Sequence, residues 1–191
     1  MVGSQVQIPN LIDIYKISGM RILAMGAHSD DLEFAAGGTL LQLAKQNNVE
    51  MIVVTDGNMG PHEYTSTPRL LIDRRMAEAR KSAELIGVKE VSFWLYPDMD
   101  LQNRKKHLLK KFVKYILNYK PNIILSFDPW GRYDAYVHPD HRTLAWVVAE
   151  GVMLSTLPKW VKSHGLGNRY ISPKPQLWLF APAAANVLVD V

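Results

Sequence analysis

The chain has no cysteine among its 191 residues. That absence excludes disulfide bracing, thiolate zinc sites, iron–sulfur clusters and a cysteine nucleophile together. Any bound metal must therefore be held by imidazole and carboxylate. Long apolar runs are missing too: none approaches the roughly 18 residues of a membrane span. Met1–Asn10 lacks the charged start and apolar core of a signal peptide, so a soluble cytoplasmic protein is expected. There is no internal repeat and no low-complexity linker. Charge of one sign is only slightly in excess, with 22 Lys and Arg against 18 Asp and Glu. Much of the surplus sits in Arg104-Lys105-Lys106, Lys110, Lys111 and Lys114, on one expected helix. A solvated helix face explains it better than a nucleic-acid patch.

What is present suffices for a single domain with a substantial core, since 48% of the residues are hydrophobic. Apolar runs that read as buried strands lie at Arg21–Gly26, Met51–Thr55, Val91–Leu95 and Asn122–Phe127, with two more at Gln176–Phe180 and Val187–Val191. Between them, helical spacing covers Gly37–Gln46, Arg69–Ile86 (stopped by Gly87), Arg104–Tyr119 (stopped by Pro121) and about Asp140 to Leu154. Ile8–Tyr15 has loosely helical spacing and reads as a short docking segment within an N-terminal extension of about twenty residues. The alternation of strand and helix predicts an α/β fold, a mostly parallel sheet covered on both faces.

In such sheets ligands bind beyond the carboxyl ends of the strands. Each of the first four strands runs into a polar loop: His28-Ser29-Asp30-Asp31, Asp56-Gly57-Asn58, Asp98-Met99-Asp100, and Asp128 through His141. Agreement among four loops is stronger than any single motif. Catalytic zinc usually takes three protein ligands and leaves the fourth position to water. His28 and Asp31 on one loop and His141 on another make a suitable set, and water at the open position would become acidic near neutral pH. Asp30, beside Asp31 but facing the other way, could take a proton. His138, one helical turn from His141, could protonate a leaving nitrogen or stabilise an oxyanion. Asp140 is a candidate to hydrogen-bond an imidazole and fix its tautomer.

Simpler roles exist for each residue taken singly. Asp30 or Asp31 could cap the following helix, and His138-Pro139-Asp140 could be an ordinary turn. Arg75 and Glu78 could be an intrahelical pair. His62, His107 and His164 have no such context and read as surface residues.

Ala27-His28-Ser29-Asp30-Asp31-Leu32-Glu33 and His138-Pro139-Asp140-His141 resemble the two signature motifs of the PIG-L/LmbE-like N-deacetylases, A-H-P-D-D-x-E and H-x-D-H. Thr55-Asp56-Gly57, Arg75 with Glu78, and Pro97-Asp98 resemble the intervening motifs in the right order. The likeness runs from about residue 20 to about 150. It implies a Rossmann-like three-layer sandwich and a Zn2+-dependent hydrolase that removes the acetyl group from N-acetylglucosamine-type sugars or glycoconjugates. It further implies His28, Asp31 and His141 as zinc ligands, Asp30 as general base, His138 as general acid or oxyanion partner, and Arg75 and Asp98 as substrate contacts. Trp130, Tyr133 and Tyr136, on the loop before His138, could stack on a sugar face or serve packing.

Two departures stand out. Ser29 replaces the motif proline, which loosens the ligand loop without removing a ligand. The chain also ends near Val187–Val191, where family members usually continue with a further helix. Other readings are hydrolysis of a different N-acyl amine, a non-catalytic metal-assisted glycan-binding protein, and a homo-oligomer of any of these. An iron oxygenase also uses two histidines and a carboxylate, but no residue pattern here implies its oxidative cosubstrate.

Overall fold

The computed structural model describes residues 10–60, 67–131, 138–182, 185–189 and 191. The elements in order are β1 (Asn10–Ile12), a 3-10 turn (Ile14–Lys16), β2 (Arg21–Gly26), α1 (Asp31–Ala44), β3 (Asn48–Thr55), α2 (Pro68–Ile86), β4 (Glu90–Tyr96), α3 (Leu101–Tyr119), β5 (Ile123–Phe127), α4 (Pro139–Ser155), α5 (Pro158–Ser163), β6 (Gln176–Phe180) and β7 (Val187–Val189). Five strands form one sheet in the order β4-β3-β2-β5-β6, every neighbouring pair parallel. The architecture is a Rossmann-like α/β sandwich.

Side chains on a strand alternate between faces, so each buried strand feeds two cores. Leu23 and Met25 of β2 pack with Leu108, Phe112 and Ile116 of α3 and Leu144, Val148 and Val152 of α4. Ile22 and Ala24 turn the other way, onto Leu32, Leu40 and Leu43 of α1 and Ala83 of α2. Burial on both faces explains why these strands read as continuous apolar runs rather than alternating ones. No helix among the described residues is long and apolar enough to cross a membrane.

The strand order dictates where a ligand can sit. The chain moves outward from β2 to β3 and β4, then returns to place β5 on the other side of β2. The order reverses between β2 and β5, and the crevice beyond their carboxyl ends is the switch point. Both histidine-bearing segments follow these two strands.

Four elements differ from expectation. Ile8–Tyr15 is only partly helical where described: Asn10–Ile12 pairs in parallel with Val187–Val189, and Ile14 and Tyr15 enter a short 3-10 turn capped by Asp13, which accepts the Tyr15 N–H at 3.2 Å. The pairing partner lies at the far end of the sequence, so local spacing could not reveal it. Helix α1 starts at Asp31 rather than Gly37, with Gly37 and Gly38 inside it. A Cβ at Gly38 would lie 3.0 Å from Val191 Cγ2, so glycine there admits the Val191 side chain. Strand β7 is described over Val187–Val189, and Val191 is not part of it. The short helix α5, opened by Pro158 in its first turn, was not expected.

A candidate metal centre at the switch point

The loop after β2 is braced before it reaches its functional side chains. Thr55, at the end of β3, donates both its backbone N–H and its hydroxyl to the Ala27 carbonyl, each at 2.8 Å. This anchors the residue before His28. Glycine at position 26 leaves room for Asp31, because a Cβ there would sit 3.1 Å from Asp31 Cβ. Asp31 then accepts the His28 backbone N–H on Oδ2 at 2.7 Å. Its other oxygen, Oδ1, lies 3.0 Å from Nε2 of His141 on the first turn of α4.

Donor atoms of three side chains on the two loops converge: His28 Nδ1, His141 Nε2 and both oxygens of Asp31. His28 Nδ1 is 3.1 Å from His141 Nε2 and 3.6 Å from Asp31 Oδ2. Ligand atoms on a tetrahedron with zinc-type arms would stand about 3.3–3.4 Å apart. The observed separations of 3.0, 3.1 and 3.6 Å, the first to Asp31 Oδ1 and the last to its Oδ2, straddle that spacing, so the residues fit a divalent cation. Two further donor sets share His28: ring nitrogens of His28, His138 and His141, and donor atoms of His28, Asp98 and Asp140, each set within 4.8 Å. Phe127, the last residue of β5, stacks on the His141 ring at 4.2 Å and restricts its rotation.

The charge balance points the same way. Asp140 is fully buried, Asp98 is nearly so, and the Asp31 side chain is 8% exposed. Burial alone would depress the His28 pKa, but the carboxylates of Asp140, Asp31 and Asp98 push it up to about 12. Burial works to raise Asp31, yet His141 and His28 hold its carboxyl far below the usual range. Asp98 is lowered to about 2 against burial, chiefly by His28. Several carboxylates closing on one imidazole require positive charge in their midst. A proton on His28 satisfies that need, and a divalent cation on Nδ1 satisfies it better.

The remaining expected residues line one open cleft of about 670 Å³, which His28, Asp30, Asp31, Arg75, His138 and His141 share. Asp30 holds the N-cap position of α1, but its side chain makes no capping hydrogen bond and it is exposed to the cleft. His138 caps α4, its Nδ1 accepting the Asp140 N–H at 3.2 Å. In the neutral ring the proton is therefore on Nε2. Burial lowers the His138 pKa, helped by the neighbouring His28 and His141, so the neutral ring prevails at pH 7. Glu78 pairs with Arg74 at 2.9 Å, not with Arg75. Arg75 instead lies over the glycines of the β3–α2 loop: a Cβ at Gly57 would be 3.0 Å from its Nη1, and one at Gly60 would overlap its guanidinium.

Asp98 lines the cleft but is occupied within the protein, with Oδ1 3.0 Å from His28 Nε2 and Oδ2 accepting the Met59 N–H at 3.1 Å. Asp140 was expected to bond an imidazole. It lies 3.8 Å from His28 Nε2, beyond hydrogen-bond reach, and accepts the Met99 and Leu101 N–H groups at 2.7 and 3.1 Å. It ties the β4–α3 loop to α4 and adds negative charge beside His28. Trp130 stands edge-on to Trp146 at 5.2 Å and is not in the cleft lining. His107 bonds the Tyr96 hydroxyl, and His164 stacks on Trp160. His62, Tyr133 and Tyr136 lie outside the described residues. Sequence reasoning missed Phe127, whose apolar character signalled only a strand, and Phe34, Met59 and Met99, exposed apolar side chains on the cleft rim.

Comparison with known proteins now decides the family. The family model described as PIG-L, GlcNAc-PI de-N-acetylase, matches residues 23–152. The chain belongs to the PIG-L family. It is 32% identical over 144 residues to the diacetylchitobiose deacetylase of Thermococcus kodakarensis, covering 75% of this chain and 53% of that protein. To a probable N-acetyl-alpha-D-glucosaminyl L-malate deacetylase of Bacillus cereus it is 27% identical, over 72% of this chain and 62% of the relative. Among solved structures, the N,N'-diacetylchitobiose deacetylase of Pyrococcus horikoshii superposes with a TM-score of 0.78 at 27% identity, over 85% of this chain and 61% of that one. The PIG-L chain thus spans only about half the length of the Thermococcus enzyme. The fold alone does not fix chemistry, since a 4-carboxy-2-hydroxymuconate hydratase from Pseudomonas shares it at 20% identity and a TM-score of 0.66, over 84% of this chain and 65% of that one.

Proposed function

We propose that this chain is a zinc-dependent amidohydrolase that removes the N-acetyl group from an N-acetylglucosamine-type sugar or conjugate. The observation that carries the reading is the convergence of His28 Nδ1, His141 Nε2 and the Asp31 carboxylate at the mouth of a cleft that also exposes Asp30. Its relatives named as deacetylases of acetylated sugars support the substrate class.

His28, Asp31 and His141 would hold the ion, which when bound supplies Lewis acidity toward the amide carbonyl and acidifies water to near neutral pH. Asp30, uncommitted to the helix cap, takes the proton of the attacking water. The water oxygen adds to the acyl carbon, and the C–N bond then breaks to give acetate and a free amine. His138 carries its proton on Nε2, from which it donates a hydrogen bond that stabilises the oxyanion, and the proton taken up by Asp30 passes to the departing nitrogen. Arg75 has no carboxylate partner among the described residues and presents donors to sugar hydroxyls.

Acetate release from diacetylchitobiose and other N-acetylglucosamine conjugates, with and without a chelator, tests this reading. Wild-type protein with zinc should release acetate, the chelator should stop it, and Asp30→Asn should lose turnover by about 10²–10⁴-fold while keeping its zinc. No acetate from any acylated amine at full zinc occupancy would favour a glycan-binding role. Release from a different N-acylated amine alone would keep the chemistry and change the substrate.

A further inference from the structure

One buried carboxylate in the cleft has no part in the chemistry proposed above. Asp98 is 7% exposed, and both of its oxygens are engaged by the protein, one with His28 Nε2 and one with the Met59 N–H. Its backbone is held as well: the Asp98 N–H donates to Asp56 Oδ1 at 3.1 Å, and the next residue, Met99, takes a left-handed φ of 65° with its N–H on Asp140. The carboxylate is thus held by His28 and the β3–α2 loop, its backbone and that of Met99 by Asp56 and by Asp140 of α4, and it reaches the imidazole from the wall of the cleft.

A neutral imidazole carries one proton on two nitrogens, and a carboxylate can only accept. A carboxylate 3.0 Å from His28 Nε2 therefore selects the tautomer with the proton on that atom. Nδ1 is left with a bare lone pair, and Nδ1 is the nitrogen that stands 3.1 Å from His141 Nε2 and 3.6 Å from Asp31. Asp140 does not make this selection, because it is 3.8 Å from Nε2 and its oxygens serve two backbone N–H groups. We infer that Asp98 is a positioning residue rather than a substrate contact: it sets the His28 tautomer and ring orientation, so that Nδ1 is aimed at the cation. This inference rests on the reading of His28 as a metal ligand.

The test uses the full chain stripped of metal and titrated with zinc against a chromophoric chelator, with no sugar present. Wild type should take one tight zinc per chain, and His28→Ala should lose it; if either fails, the ligand assignment is wrong before Asp98 is considered. With that established, Asp98→Ala should weaken zinc by about 10–100-fold. Asp98→Asn preserves shape and guards against misfolding, and its affinity should fall in the same direction. Nitrogen-15 spectra of the zinc-loaded wild type should show His28 protonated on Nε2 and metal-bound through Nδ1. If both Asp98 variants bind zinc as wild type does and raise only KM for the acetylated sugar, Asp98 is a substrate contact and the inference falls. Zinc on His28 Nε2 would also overturn it.

Discussion

At the proposed site a metal would compete with a proton for the His28 imidazole, and the proton's side of that competition can be read as stability against pH. The carboxylates around His28 raise its pKa from the usual 6.5 to about 12 in the metal-free protein. For a histidine whose folded pKa is raised, the stabilisation is fully present below the unfolded value and is lost as pH climbs toward the folded one. Asp31 and Asp98 shift the opposite way, so their contributions are complete above about pH 5 and constant beyond it. Between pH 7.5 and 9.0 the His28 slope remains, at about 1.4 kcal/mol per pH unit. The metal-free protein should lose roughly 2 kcal/mol over that interval, a Tm decrease of about 4–8 °C for a chain of this size. Scanning calorimetry at both pH values measures it, with His28→Asn as the flat reference. Zinc should remove the slope by displacing the proton, and its apparent affinity should rise at least about tenfold per pH unit. An ordinary imidazole is already neutral at pH 7.5. A metal-free Tm that is constant over the interval, or as steep in His28→Asn, would refute the claim that buried carboxylates converge on this ring.

Substitutions at three positions probe the scaffold around the site. Gly60→Ala places a methyl group in the Arg75 guanidinium, the mobile end of a long side chain, so the fold should hold while kcat/KM falls about tenfold with zinc affinity unchanged; a steady-state assay beside a zinc titration checks both. Asp140→Ala strands the Met99 and Leu101 N–H groups, at a cost of about 3–5 kcal/mol by urea denaturation, and Asp140→Asn should cost less. Gly151→Ala drives a Cβ into the Phe112 ring between α3 and α4, which should destabilise by about 1–3 kcal/mol and leave zinc binding intact.

The central strands and their helices are legible in the sequence because burial on both sheet faces makes β2, β3 and β5 plain apolar runs. Gly87 and Pro121 punctuate the helices between them. The loops of the candidate site are legible for a related reason: the fold rule that sites lie beyond strand carboxyl ends turned two short motifs into one place. What was hidden depends on contacts far apart in sequence. β1 exists because β7 supplies its hydrogen-bonding partner. Helical spacing places the start at Gly37, whereas Asp31 begins the helix while its carboxylate faces His28 and His141. The direction in which Asp98 points is set by a left-handed Met99 and by the hold of Asp140 on that loop, which no local pattern encodes.

The most direct measurement is anomalous diffraction at the zinc edge from crystals grown with zinc. The account predicts a single strong peak bounded by His28 Nδ1, His141 Nε2 and the Asp31 carboxylate, open toward the cleft on the Asp30 side. A peak elsewhere, or fully occupied zinc that leaves His28 and His141 on separate ions, would contradict it.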